Sequence, residues 1–162
     1  MSKDRKKQLE SLILQLEYIC ASDNAALSKI KKVEEEFYKI IEVSSIIKEE
    51  RQARLNKVLH STRAFDTSLR TLLEHFGVPY GNTPALGPYV NAICNDRTGC
   101  FKQMDGNFIT RIKTKIIDKR NLYMHTSGAY PNKNETEMLL HDIITHFHSI
   151  LINIRTHPPA IS

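Results

Sequence analysis

Apolar residues recur at helical spacing along almost the whole chain. Leu9, Leu12, Ile13, Leu16 and Ile19 step by threes and fours, as one buried face of a helix does. This pattern stops near "ASDN" (21–24). A second, longer one follows through Leu27, Ile30, Val33, Phe37 and Ile40 or Ile41, continuing to Ile47, Leu55 and Val58. So short a break predicts an antiparallel helix pair over residues 1–60. The period restarts in "HSTRAFDTSLRTLLEHFG" (60–77) with Phe65, Leu69, Leu72 or Leu73, and Phe76. Gly77 and Pro79 then supply a left-handed cap and a helix breaker.

Residues 77–106 hold most of the Gly and Pro, which predicts a long irregular connection with a short helix started by Thr83-Pro84. "DGNFITRIKTKIIDKRNLYMH" (105–125) is helical again and runs into "TSGAYPNK". Asn134 followed three residues later by Glu137 has the form of a capping box. The last helix carries Leu140, Ile143 or Ile144, Phe147, Leu151 and Ile154 until "HPP" (157–159) stops it. No segment alternates with period two. The expected fold is all-α: an up-and-down bundle of four to five main helices in one domain spanning 1–162. An N-terminal pair would occupy 1–60, a motif-bearing part 61–157 and a tail 158–162.

Composition fits a soluble globular domain, with 41% hydrophobic and 25% charged residues. No apolar run approaches the roughly 18 residues that a membrane span needs. The charged N-terminus lacks the pattern of a signal peptide, so a cytoplasmic protein is expected. Cys20, Cys94 and Cys100 have no zinc-like spacing. Cys94 and Cys100 can pair across a short loop, although reduced thiols fit that compartment better. The formal charge is +5, which favours acidic partners. Its surplus concentrates between 101 and 125, where Lys102, Arg111, Lys113, Lys115, Lys119 and Arg120 face only Asp105 and Asp118.

That basic stretch ends in "DKRNLYMHTSGAYPN" (118–132). Counting by fours puts Ile112, Ile116, Arg120 and Met124 along one row, with Ile109 and Tyr123 beside it. Arg120 interrupts a row otherwise suited to burial. A guanidinium keeps its charge and is costly to bury unpaired, so it needs an anion there. That anion is either a Glu of the second helix or a ligand. On the adjacent row Asn121 and His125 lie one turn apart, close enough for Asn121 to orient the imidazole. His125 also sits at a helix C-terminus, where the dipole favours the protonated ring. Arg-x4-His alone is weak, and the chain has a second copy in Arg70 and His75, read as a solvated edge. That copy lacks an Asn after the Arg and sits on a helix with a full apolar face of its own.

"RNLYMHTSG" resembles the Arg-Asn-x-x-x-His signature of HEPN domains, the higher eukaryotes and prokaryotes nucleotide-binding family. The resemblance rests on Arg120, Asn121, His125 and the turn at Gly128, with a compatible helix order from about 60 to 156. It implies an all-α domain acting as a metal-independent endoribonuclease that needs no cofactor. It further implies a homodimer with paired motifs lining one cleft, and a role as toxin or antiviral effector with an antitoxin or defence-system partner protein. The subgroup paired with nucleotidyltransferase antitoxins has Tyr two residues after the His. This chain has Ser127 there, and Tyr130 three residues further on.

The residue types suit that chemistry. RNA brings its own nucleophile, the 2′-hydroxyl. His125 would move the proton, Arg120 would fork onto phosphate oxygens, and Asn121 would orient ring or phosphate. Arg111, Lys113, Lys115 and Lys119 would hold the RNA backbone. The alternative is a catalytically inactive helical module that binds RNA or a protein. Asp142 and His146 have i, i+4 spacing but no second ligand pair, which favours a structural role over metal binding. "KIKKVEEEFYK" (29–39) reads as a solvated helix face, or as the flank of a seam with a partner.

Overall fold

The computed structural model describes residues 3–46 and 49–155, the side chains of 43–46 excepted. Four long helices carry the fold: α1 (Lys3–Ile19), α2 (Asn24–Ile46), α3 (Glu50–Phe76) and α7 (Lys133–Ile152). Short α4 (Leu86–Cys94) lies within the 77–106 connection. A composite helix then runs from 108 to 125 as α5 (Phe108–Ile112), a π-helical turn (Lys113–Ile117) and α6 (Asp118–His125). The protein is an all-α bundle. Among the described residues β pairing is limited to one antiparallel bridge, Phe101 to Ile154.

α3 is the central rod, touching α2 along its length and also α4, α6 and α7. Its face of Phe65, Leu69, Leu72 and Leu73 is fully buried. Phe65 meets Phe147 of α7 with ring centroids 5.8 Å apart. α1 closes the bundle against α2 and α7 through Leu9, Leu12 and Leu16. Gly77 ends α3 in the left-handed region at φ 67°, which lets Val78 N–H reach the Leu73 carbonyl.

The observed boundaries depart from the expected ones in four places, the first being α4, which starts at Leu86 after an Ala85 cap and not at Thr83-Pro84. α2 ends at Ile46, and α3 starts at Glu50 and passes residue 60 without interruption, so the helix break precedes Glu50 and does not fall near 60. Leu55 and Val58 thus belong to α3, and no Gly or Pro marks the break. The capping box at the start of α7 is Asn132 with Glu135, two residues before the expected pair. "NKNETE" offers the same chemistry twice, and the helix takes the earlier site. α7 ends at Ile152, and Ile154 joins the bridge to Phe101 instead of extending the helix. Ile47, the "HPP" stop and the 158–162 tail lie outside the described residues.

Candidate functional site

The composite helix sets the site. At its π turn, Asp118 N–H bonds to the Lys113 carbonyl five residues back. A regular α-helix drifts about 40° for each step of four residues, so Arg120 would trail Ile112 by about 80°. The wide turn accommodates one extra residue and sets the register back by about that much. Ile112 and Ile116 are accordingly fully buried, Arg120 and Met124 half-buried, while Asn121, Leu122 and His125 are exposed. Tyr123 is buried on the neighbouring row.

Arg120 does face the body of the protein, but no Glu of α2 meets it. Its Nη1 donates to Asn121 Oδ1 at 2.9 Å, and no carboxylate lies within ion-pair distance among the described residues. Arg120 and Asn121 line a cavity of about 530 Å³ together with Thr62, Arg63, Asp66 and Thr67 of α3. Pro84 to Gly87, ahead of and opening α4, form the far wall. Burial raises the Asp66 carboxyl above its ordinary value, against the opposing charges of Arg120 and Arg70. Arg120 nevertheless makes no ion pair with Asp66 or any other described carboxylate, which leaves its fork open to an anion entering from outside. Arg63 reaches the same cavity and is 3.6 Å from Glu36 of α2. That Glu36 also meets His60 Nδ1 at 2.6 Å.

Asn121 does not orient His125. Its side-chain oxygen is engaged by Arg120, and His125 makes no hydrogen bond to any described residue. His125 is the last residue of α6, followed by Thr126, whose N–H closes on the Leu122 carbonyl at 3.1 Å. Gly128, at φ 78°, then turns the chain toward α7. Arg120 and Asn121 therefore share a groove, while His125 stands free beside it.

The four expected backbone-binding cations are distributed differently. Arg111 pairs with Asp105, Lys113 with Asp118 at 2.9 Å, and Lys115 with Asp142 at 3.5 Å. Only Lys119 lacks a partner among the described residues. Lys115 and Lys119 line a second hollow against α7, with Tyr123, Glu135 and His141, separate from the Arg120 cavity. Asp142 is the one partner from outside the stretch, so Lys102, Lys119 and Arg120 keep most of the local surplus. Arg63 and Asp66 were not apparent from sequence, because α3 brings them in from over fifty residues away.

The other candidates have structural roles. His146 is buried, with its Nδ1 2.6 Å from the Asp142 carbonyl and its ring tilted on Phe108. Burial lowers its pKa from the ordinary imidazole value. No group of three His, Cys, Asp or Glu side chains among the described residues is arranged to hold a metal. The three cysteines are free, and burial pushes the Cys20 and Cys94 thiols up to about 11. No described helix is long and apolar enough to cross a membrane. In comparisons with known proteins the chain matches no family model, no curated sequence and no solved structure.

Proposed function

We propose that the chain is a metal-independent endoribonuclease whose phosphate-holding pair is Arg120 and Asn121 and whose proton carrier is His125. One observation carries the reading. Arg120 lines an open cavity with Asn121 and no ion-paired carboxylate, one and a half turns from an imidazole that has no partner among the described residues. A guanidinium fork presents two parallel donors to phosphate oxygens and stabilises the charge that grows on a phosphorane. A solvent-facing imidazole moves protons near neutral pH. The 2′-hydroxyl attacks phosphorus, His125 takes or returns the proton, and the 5′-oxygen leaves.

A single copy presents one histidine. Two copies meeting along α6, where Leu122 is exposed, would bring two, one as base and one as acid. The homodimer belongs to this proposal, as do RNA as substrate and a role as toxin or defence effector.

The test is incubation with single-stranded RNA and with DNA of the same sequence, in chelator. The reading expects cleavage of RNA alone and products ending in a 2′,3′-cyclic phosphate. Arg120→Lys should lose at least about tenfold in rate, because an ammonium lacks the bidentate fork. Light scattering should give a dimer. Products with a 5′-phosphate, made only with a divalent ion, would refute the mechanism. A second reading, RNA binding without cleavage, draws on the separation of His125 from the Arg120 cavity. Tight RNA binding by a protein that never cuts would decide for it.

A further inference from the structure

α1 and α2 leave a shallow groove of about 290 Å³ between them. Its floor is Leu9, Ile13 and Phe37, which are core residues. Its walls are unusual for a surface. Leu14 is 65% exposed and Tyr38 on the facing helix 47% exposed, and Tyr18, outside the lining one turn further along α1, is 84% exposed. Large apolar side chains grouped on one face mark an interaction surface more often than scattered ones do. Tyrosine is also among the residues that most often anchor interfaces.

The polar groups of the groove define what fits it. Its ionisable lining residues are Glu10, Glu17 and Glu34, with no lysine or arginine among the lining residues. Glu10 is held by Lys6 at 3.7 Å. Glu17 and Glu34 are half-buried, and neither has an ion pair with any described residue. A chain of net charge +5 thus keeps two unpaired carboxylates over an apolar floor. A second copy of the chain using this same face would set acid against acid across a two-fold axis, which is unfavourable.

We propose that the α1–α2 groove docks a basic amphipathic helix of another protein. The apolar stripe of that helix would cover Leu14, Tyr18 and Tyr38, and its flanking Lys or Arg residues would meet Glu17 and Glu34. Two antiparallel helices form a natural seat for a third, and the lining from Leu9 to Glu17 extends about 12 Å, enough for two to three turns of a partner. This surface is remote in sequence from the Arg120 cavity and owes nothing to the ribonuclease reading.

The probe is a labelled 18-residue helical peptide with leucine at i, i+3, i+4 and i+7 and lysine elsewhere. Its twin carries glutamate in place of every lysine. Anisotropy at about 0.15 M salt should show the basic peptide binding at least tenfold more tightly than the acidic twin. Leu14→Ser with Tyr38→Ser should remove that binding. Glu17→Lys with Glu34→Lys should reverse the preference and leave RNA cleavage unchanged. All four positions are exposed or half-buried, and far-UV circular dichroism verifies the fold of each variant. Equal binding of the two peptides would overturn the proposal, as would an affinity indifferent to the charge reversal. A dimer that Leu14→Ser with Tyr38→Ser turns into a monomer would assign the face to self-association and overturn it too.

Discussion

The chain carries the Arg-x4-His spacing twice, each time near a helix end with a left-handed glycine two or three residues past the His, and the two copies have opposite fates. In the first, Arg70 Nε donates to Glu74 at 2.8 Å, and His75 Nδ1 lies 2.9 Å from Asp23. Glu74 also holds Lys29 and the Tyr80 hydroxyl, and Asp23 caps α2 through Ala26 N–H. Every polar group of that copy is used to fasten the end of α3 to the α1–α2 corner. In the second, the one hydrogen bond of the Arg120 side chain among the described residues goes to its neighbour Asn121, and the His125 ring has none there. A polar cluster satisfied within the chain is an element of architecture. One left unsatisfied beside a cavity is available for a ligand. Spacing alone does not distinguish them. The carboxylates contributed by other helices do.

The largest expected effect separates the copies by activity. Arg120→Ala or His125→Ala should lower RNA cleavage at least about a hundredfold while leaving far-UV circular dichroism unchanged. Arg70→Ala and His75→Ala should keep the activity. His75→Ala should instead lower the thermal midpoint by about 3 °C, since it unties Asp23. Thermal melts and initial rates on the four variants read both effects.

The acids beside the two copies sharpen the contrast through pH. Asp23 is held below its ordinary 3.8 by the Ala26 N–H and then by His75. Its contribution to stability is full above about 3.8 and is lost as pH falls through the lower folded-state value. Asp66 is raised by burial, so its sign is opposite. The fold is penalised as pH rises through the interval between the ordinary value and the raised one, and the penalty persists at neutrality. Asp66→Asn should therefore raise the thermal midpoint at pH 7 and give no gain below about pH 3.8, the ordinary value. Asp23→Asn should lower it at pH 7. Thermal melts across pH would check both slopes.

The smallest expected effect is conformational. Gly77 and Gly128 sit at φ 67° and 78°, and a Cβ on either would meet nothing within 4 Å. Alanine at either place should cost about 1 kcal/mol, from backbone strain alone. Equal losses of stability in denaturant titrations are expected. Only Gly128→Ala should also slow cleavage, because that turn follows His125 directly.

Much of the architecture was legible in the periodicity of Leu, Ile and Phe, because burial of a helix face imposes that spacing. Gly77 announced its own helix end, and the apolar row through Arg120 was visible by counting. The π turn was not, since "KTKII" satisfies an ordinary helix equally well. The break between α2 and α3 was hidden because "IIKEE" contains no breaker. The site was readable only in part. Arg120 and Asn121 share a cavity, yet the Asn121–His125 contact did not form: the amide oxygen takes the adjacent guanidinium instead. Arg111 and Lys113 pair with Asp105 and Asp118 inside the basic stretch, but one partner lies outside it. Lys115 finds Asp142 twenty-seven residues away, on α7. Arg63 and Asp66 enter the cavity from a helix whose sequence shows only a core-facing pattern. Long-range electrostatics decides such assignments, and no local window contains it.

The measurement that tests the account most directly is RNA cleavage in chelator by the parent protein, His125→Ala and His75→Ala at equal concentration. The account predicts cleavage by the parent and by His75→Ala, and none by His125→Ala. Equal loss in both variants with folding intact, or cleavage that survives His125→Ala, would contradict it.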